Sequence, residues 1–264
     1  MHPFDQPVAC FMSRDLEGAA PDTPLERLVR SMHGRGISGI PISDSNGGLV
    51  GVVSRTDLIA LGVIQSGRRS SSPVMPLPRN CAKDVMSHPP RTTSSGAPLH
   101  HAARLMSEHA IHRLFVLDDE QLVGVITTVD LATAVRDARV ELPLSEVMTG
   151  QVISIDARAP ISAAVDLLAR IGVTGLIVTE EEWPIGMFTQ ENALASRDLP
   201  RGTPVDETYD AGVICLPIET KLHRAAAMAA ELAVRRIVVC RAREAVGVVS
   251  GLDFARIVAG SRGR

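Results

Sequence analysis

Apolar and polar positions follow the same order four times along the chain. Each repeat begins with apolar residues at positions i, i+3, i+4 and i+7, which predict a helix with one buried face. An apolar run, a polar turn and a second apolar run follow, and these predict two strands joined in a hairpin. The four helical stripes are Leu25, Leu28, Val29 and Met32; Leu99, Ala102, Ala103 and Met106; Ile161, Ala164, Val165 and Leu168; and Leu222, Ala225, Ala226 and Ala229.

A seven-residue motif, the heptad motif, ends the second strand of every repeat and opens another helix-like run. It consists of glycine, two apolar residues, a hydroxyl residue, two variable positions and then Asp or Asn, and it begins about 25 residues after the start of each stripe. Its four copies occupy residues 51–57, 124–130, 186–192 and 247–253. Four copies in register predict a repeat protein whose unit is helix, strand, turn, strand and helix.

The repeats predict four domains, at residues 6–65, 78–137, 141–198 and 202–260. The Ser, Gly and Arg content of residues 66–73 predicts a mobile surface linker after the first domain. Repeats 1 and 3 resemble each other before the first strand (36–40 and 172–176), whereas repeats 2 and 4 share a basic residue pattern there. This alternation predicts that unlike repeats pair, 1 with 2 and 3 with 4, so that each buries the open sheet face of the other.

Composition narrows the class of protein. The chain has 264 residues, 45% of them hydrophobic, which is ample for a well-buried core or for two domains. Its net charge of −3 argues against a nucleic-acid or membrane-surface binder, since both need a basic face. No apolar run approaches the roughly twenty residues that span a bilayer, and the N-terminus has no signal-peptide pattern. We therefore expect a cytoplasmic protein.

Cysteines and histidines do not predict a metal site. The four cysteines, at positions 10, 81, 215 and 240, show no Cys-x-x-Cys spacing and are expected to be free, buried thiols. Histidines cluster at positions 100, 101, 109 and 112. His109 and His112 straddle a predicted junction between helix and strand, so their spacing does not bring both rings to one face.

The chain resembles the cystathionine β-synthase (CBS) domain family. The resemblance is carried by the order of elements, by the openings Asp84-Val85-Met86 and Glu146-Val147-Met148, and by the heptad motifs that end each repeat. It implies an α/β (α+β) fold of four βαββα repeats paired into two Bateman modules, a layout similar to that of the gamma subunit of AMP-activated protein kinase. It also implies a non-catalytic sensor that binds adenine nucleotides in clefts between paired domains.

The heptad motif allows two compatible interpretations. A hydroxyl at the end of a strand, with Asp three residues later, predicts that Ser54, Thr127 and Ser250 cap the following helices. The same geometry suits a ligand, because exposed amides at a helix N-terminus attract phosphate and a carboxylate accepts two hydrogen bonds from a cis-diol. In that case the ribose hydroxyls of a nucleotide lie on the heptad carboxylates, which are Asp57, Asp130 and Asp253.

Basic residues favour the ligand interpretation. Arg113, Arg235 and Arg236 stand at the entrance of predicted buried strands, where a guanidinium without an anion is costly unless the strand end is solvated. The first heptad adds Arg55 and the hydroxyl of Thr56, and His112 precedes Arg113. Two even-numbered repeats with a basic residue at the same position predict phosphate binding.

The third repeat departs from this pattern, and the adenine contact is expected elsewhere. Asn192, which follows Thr189 at heptad spacing, offers one acceptor oxygen where a carboxylate offers two, so this site is expected to be empty or altered. Aromatic residues make up only 3% of the chain. The adenine is therefore expected between aliphatic side chains and against backbone groups near Ser38, Ile40 and Thr174.

The favoured function is a regulatory protein that senses AMP, ADP or ATP and acts on a separate, unknown effector protein. A scaffold with degenerate sites and a sensor of S-adenosylmethionine or a cyclic dinucleotide are the alternatives. No cofactor is expected beyond the regulatory nucleotide. Catalysis is not expected, because four repeats leave no room for a catalytic domain and the heptads contain no nucleophile with its base. The chain is expected to form a monomeric disc or a homodimer.

Overall fold

The structure is a computed structural model that describes residues 4–65, 67, 69–242 and 244–260. Repeat 1 contains helix α1 (Leu25–Gly34), strands β1 (Gly39–Ser43) and β2 (Leu49–Ser54) and helix α2 (Arg55–Gln65). Repeat 2 contains β3 (Thr92–Thr93), α3 (Leu99–Glu108), β4 (Arg113–Asp118), β5 (Gln121–Thr127) and α4 (Thr128–Asp137).

The second half of the chain has the same order of elements. Repeat 3 contains β6 (Ser154–Asp156), α5 (Ile161–Ile171), β7 (Gly175–Glu180), β8 (Trp183–Thr189) and α6 (Gln190–Ala195). The short strand β9 (Asp210–Ala211) follows and pairs with β8. Repeat 4 contains β10 (Cys215–Pro217), α7 (Leu222–Glu231), β11 (Arg236–Arg241), β12 (Glu244–Ser250) and α8 (Gly251–Val258).

The predicted βαββα fold is confirmed. In repeats 2, 3 and 4 a short first strand pairs in parallel with the first strand of an antiparallel hairpin. In repeat 1 the corresponding contact is a single parallel bridge between Ala19 and Ile42. All four predicted helical stripes face the interior, since none of their residues is more than 6% exposed. Burial of these apolar stripes in the core stabilises each repeat.

Like repeats pack together through their helices. One compact unit, the even unit, contains repeats 2 and 4 (residues up to 16, 91–152 and from 214 on), and the other, the odd unit, contains repeats 1 and 3 (17–90 and 153–213). In the even unit α4 packs against α7 and α8, and in the odd unit α2 packs against α5 and α6. Each unit has its own hydrophobic core.

The segment that opens each repeat lies on the hairpin of a different repeat. Each opening pairs with the second residue of a heptad motif, and the four pairs are Ser13 with Val125, Ser87 with Val52, Thr149 with Val248 and Asp210 with Met187. Repeats 1 and 2 therefore exchange their openings, and so do repeats 3 and 4. These are the pairs that the sequence predicts as modules, and the pairing of their sheet faces stays a prediction.

This exchange explains the glycine that begins each heptad. A Cβ atom added at Gly124 would lie 2.8 Å from the carbonyl oxygen of Ser13, and one added at Gly186 would lie 2.4 Å from that of Asp210. Both distances are shorter than a carbon and an oxygen tolerate. The glycines at 124, 186 and 247 are thus needed because another segment of backbone crosses directly over them, whereas at Gly51 the side chain of Met86 fills this space.

The prediction of a mobile linker over residues 66–73 is wrong for its second half. Ser66 and Arg68 lie outside the described residues. Beyond them, the amide of Arg201 donates to the carbonyl of Ser72, and the amide of Val74 donates to that of Leu199, both at 2.9 Å. Val74 and Met75 are fully buried. The segment is fixed because apolar residues just after the predicted linker enter the core of the odd unit.

The cysteines are free, but only Cys240 is buried. The expectation of buried thiols is wrong for Cys10, which is exposed at the end of a single-turn helix, Val8–Cys10. Within the described part of the chain, no three His, Cys, Asp or Glu side chains are grouped as metal ligands. No helix in that part is both long enough and apolar enough to span a membrane.

Candidate functional site

The predicted helix caps at Ser54, Thr127 and Ser250 are confirmed, and Thr189 caps the helix after the third heptad in the same way. The last residue of each motif reaches back to the hydroxyl residue three positions earlier, and one oxygen accepts from both its amide and its hydroxyl. These two distances are 2.8 and 2.6 Å for Ser54 and Asp57, 2.7 and 2.7 Å for Thr127 and Asp130, 2.8 and 2.6 Å for Thr189 and Asn192, and 2.7 and 2.8 Å for Ser250 and Asp253. The cap therefore uses one oxygen and leaves the second terminal atom of each side chain for other contacts.

That second atom is least engaged at Asp130. Its Oδ1 has no hydrogen-bond partner among residues 4–65, 67, 69–242 and 244–260. Burial raises the pKa of Asp130, and the hydrogen bonds from Thr127 oppose this rise. A desolvated carboxylate with unused lone pairs gains free energy from any hydroxyl that donates to it.

The other three heptads engage the second atom with protein groups. Asp57 Oδ1 accepts from the Ser87 hydroxyl at 3.2 Å. Asp253 is only 1% exposed, and its Oδ1 is paired with the Arg256 guanidinium and accepts from the Thr149 hydroxyl at 3.4 Å.

In repeat 3 the second atom is an amide nitrogen, because Asn192 stands where the other repeats have Asp. This nitrogen donates to Asp210 Oδ1 at 3.1 Å. One motif therefore produces four different environments.

The even unit places basic residues beside two of these caps. Arg113 is the cross-strand partner of Thr127, and Arg236 is the cross-strand partner of Ser250. In the odd unit glycines, Gly39 and Gly175, occupy the same ladder positions. At this ladder position, a basic residue therefore accompanies the heptads of repeats 2 and 4, and a glycine accompanies those of repeats 1 and 3.

The basic side chains of the even unit are close enough to perturb one another. Burial, together with the charges of Arg236, Arg113 and Arg235, lowers the pKa of His112 to about 4. Burial and the neighbouring Arg235 lower the pKa of Arg236 to about 10. At neutral pH, His112 is therefore uncharged beside three guanidinium groups. An anion that binds here relieves the mutual repulsion.

Arg55 and Thr56 lie in a different environment. Arg55 is 5% exposed, and its Nη2 lies 2.8 Å from Glu191 Oε2, an ion pair whose geometry falls outside that of a hydrogen bond. Burial lowers the pKa of Arg55, and Glu191 opposes this shift. Thr56 accepts from the side chain of Gln190 at 3.1 Å. Both residues thus join α2 to α6 inside the odd unit.

The residues predicted near adenine are mostly engaged in the fold. The Ile40 side chain is fully buried in the core. The carbonyls of Ser38 and Thr174 accept the amides of Arg55 and Gln190, the first residues of α2 and α6, at 3.2 Å. The adenine contact near Ser38 and Thr174 stays a prediction.

Sequence reasoning missed the partners of the second heptad atom. These are Ser87, Thr149, Asp210 and Arg256. The first two directly follow the methionine of a recognisable opening, so their equivalence was visible in the sequence. Their contact with the heptad was not, because it depends on the exchange of openings between repeats.

The match to a known family covers most of this architecture. The CBS domain family model matches residues 8–63, 82–137 and 144–197, more than half of the chain. The chain belongs to the CBS domain family. Repeat 4, which lies outside the matched regions, has the same order of elements and the same cap, so this CBS-domain protein contains four repeats.

Curated relatives match parts of the chain. L-aspartate semialdehyde sulfurtransferase from Methanocaldococcus jannaschii is 30% identical over 48% of this chain and 25% of its own length. An uncharacterized 33.4 kDa protein from Thermofilum pendens is 25% identical over 70% of this chain and 62% of its own length. The chain thus spans between a quarter and about three-fifths of the length of these curated relatives.

A solved structure covers the whole arrangement. Protein MJ1225 from Methanocaldococcus jannaschii, a candidate archaeal homologue of g-AMPK, superposes with a TM-score of 0.82 at 15% identity, over 96% of this chain and 99% of its own. At this level of identity the likeness shows the fold. The fold and the element order predicted from the repeats are confirmed.

Proposed function

We propose that this CBS-domain protein is a non-catalytic regulatory protein that binds an adenine nucleotide and passes a conformational change to a separate effector protein. One observation carries the proposal. In repeat 2, the half-engaged carboxylate of Asp130 and the basic residues His112 and Arg113 lie on one hairpin and its following helix, with Arg113 directly across from the cap residue Thr127.

The proposed ligand contacts follow from this arrangement. Asp130 Oδ1 accepts hydroxyls of the ribose, while Arg113, Arg235 and Arg236 attract the phosphates. Asp57 is the second proposed ribose contact, and it first has to release Ser87. Asp253, Arg55 and Thr56 are left out of the proposed set because protein groups already occupy them.

The charge of the site selects among adenylyl ligands. AMP, ADP and ATP all bring a vicinal diol and at least two negative charges. S-adenosylmethionine brings the diol with a sulfonium cation, which three nearby guanidinium groups repel. We therefore propose phosphorylated adenine nucleotides as the class of ligand.

Transmission is proposed as a coupling of free energies. The opening of repeat 1 is hydrogen-bonded to the second residue of the Asp130 heptad, through Ser13 and Val125 at 2.9 Å in both directions. We propose that the opening of repeat 1 has two arrangements in equilibrium. A nucleotide at this heptad shifts that equilibrium only by the difference between its affinities for the two arrangements. The effector is the protein that binds one arrangement better than the other.

The test is thermal unfolding of the wild type and of Arg113→Ala with adenosine, AMP, ADP, ATP, S-adenosylmethionine and cyclic di-AMP. A ligand at about 100 times its dissociation constant adds roughly 2.7 kcal/mol to the free energy of unfolding, which raises the midpoint by several degrees. We expect adenine nucleotides to raise the midpoint of the wild type. Arg113→Ala should lose more of the effect of ATP and ADP than of adenosine.

Two results would contradict the proposal. If no ligand moves the midpoint, a scaffold with degenerate sites becomes the better account. If Arg113→Ala reduces the effects of adenosine and ATP equally, Arg113 does not contact phosphate.

A further inference from the structure

The heptad of repeat 3 differs from the others in a paired way. In repeats 1 and 4 a heptad carboxylate faces an opening hydroxyl, Ser87 or Thr149. In repeat 3 the heptad has the amide of Asn192, and the opening has the carboxylate of Asp210. All three opening residues pair with the second residue of their heptad, so they are structurally equivalent. The carboxylate and its neutral partner have exchanged positions.

Asn192 is unable to take the role of the missing carboxylate. Its Oδ1 accepts from both the amide and the hydroxyl of Thr189, at 2.8 and 2.6 Å. Its Nδ2 is a donor and points to Asp210. The residue is 8% exposed, so neither lone pairs nor surface remain for a ligand hydroxyl.

Asp210 has what Asn192 lacks. It is exposed on the short strand β9, and one of its oxygens accepts from Asn192 at 3.1 Å. Its other oxygen has no hydrogen-bond partner in the described part of the chain. The Asn192 amide thus orients the Asp210 carboxylate, much as Ser87 contacts the carboxylate of Asp57.

We infer that Asp210 is the hydroxyl-binding carboxylate of repeat 3, so that this repeat keeps a site for a vicinal diol. The inference rests on the proposed function, because it assumes that a heptad carboxylate binds ribose. Gly175 stands at the ladder position where repeat 2 has Arg113. The site therefore takes an uncharged nucleoside such as adenosine, and the phosphates of a nucleotide gain nothing there.

The exchange makes a prediction that needs no ligand. Asn192→Asp alone places two carboxylates within about 3 Å of each other and should lower the unfolding midpoint by several degrees at pH 7.5. The double variant Asn192→Asp, Asp210→Ser recreates the Asp57 and Ser87 pair and should return the midpoint to within a degree or two of the wild type. The single variant Asp210→Ser is measured as well. If the midpoint change of the double variant equals the sum of the changes in the two single variants, the exchange is contradicted.

The ligand test uses calorimetry with adenosine and 2′-deoxyadenosine on the Asp57→Asn, Asp130→Asn background, which disables the two proposed nucleotide sites and keeps their caps. We expect residual adenosine binding that Asp210→Asn weakens at least ten-fold. Binding of 2′-deoxyadenosine should be weak and change less than two-fold with Asp210→Asn. The further double variant Asn192→Asp, Asp210→Ser should restore adenosine binding.

Failure of this inference is distinct from failure of the proposed function. If the wild type binds AMP but the Asp57→Asn, Asp130→Asn background binds no adenosine, Asp210 is not a ligand and the proposed function stands. Equal affinity for adenosine with and without Asp210→Asn has the same meaning. If the wild type binds neither AMP nor adenosine, the proposed function itself is overturned.

Discussion

Asp130 and Asp253 occupy the same position of the same motif in the same compact unit, yet their surroundings differ. Both accept from the amide of their cap residue at 2.7 Å. Asp253 is 1% exposed and its second oxygen is paired with Arg256, one turn along α8. The equivalent of Arg256 in repeat 2 is Thr133, and Asp130 keeps its second oxygen without a protein partner among the described residues.

The difference separates two roles that the motif alone leaves combined. The capping role depends on two residues three positions apart and is identical in both repeats. The ligand role depends on whether anything outside the motif occupies the second oxygen. We therefore assign Asp253 to stability and propose Asp130 for binding.

The largest expected effect is on stability at Asp253. Asp253→Ala removes the cap and the ion pair with Arg256, whose side chain is 43% exposed, so we expect a loss of about 2 kcal/mol in the free energy of unfolding. Asp130→Ala removes only the cap and should cost about 1 kcal/mol. Urea unfolding of the two variants and the wild type measures both. Equal losses would show that the pair with Arg256 adds nothing.

The next effect is on ligand binding. In repeat 3 of the native chain, Asn192 completes the cap by accepting from the amide of Thr189. Asp130→Asn and Asp253→Asn should therefore both keep their caps while losing a negative charge. We expect Asp130→Asn to weaken AMP binding at least ten-fold, about 1.4 kcal/mol. Asp253→Asn should change it less than two-fold. Titration calorimetry distinguishes the two, and a larger loss at Asp253 would reverse the assignment.

A transplanted arginine should convert one environment into the other. Thr133→Arg places a guanidinium three residues after Asp130, as Arg256 stands three residues after Asp253. We expect it to occupy Oδ1 and weaken AMP binding by about 1 kcal/mol, roughly five-fold. Thr133→Gln is the matched control of similar length without charge. Tighter AMP binding in Thr133→Arg would mean that its charge attracts phosphate rather than closing the carboxylate.

The smallest expected effect concerns His112. Its pKa is about 4 in the folded chain, against about 6.5 for an exposed histidine. The unfolded chain therefore takes up a proton first, and stability falls as the pH drops below about 6.5. Between pH 7.5 and pH 6 the loss from this group is about 0.8 kcal/mol.

His112→Gln should remove that part of the pH dependence, measured as the change in unfolding free energy between the two pH values. Bound AMP should also reduce this pH dependence in the wild type, because its phosphate raises the pKa of His112 in the folded chain. An unchanged histidine pKa in NMR titrations with and without AMP would show that the phosphate binds elsewhere.

Much of the site could be predicted because it is local. A hydroxyl and an Asp three residues apart meet whenever a helix follows a strand, so the caps at Ser54, Thr127 and Ser250 followed from spacing alone. The helical stripes followed from periodicity in the same way. The substitution at Asn192 was visible too, but its compensation by Asp210 required knowing which segment crosses the heptad.

The four repeats, their elements and their caps follow from the amino-acid pattern, because each depends on residues within a turn or a hairpin of one another. Three features emerge only in the folded chain: which repeats share a core, which opening lies over which glycine, and which heptad oxygens remain open. These depend on contacts between residues far apart in the chain, such as Asn192 with Asp210 or Thr149 with Asp253. Their energies are set by packing and burial, which no local pattern encodes.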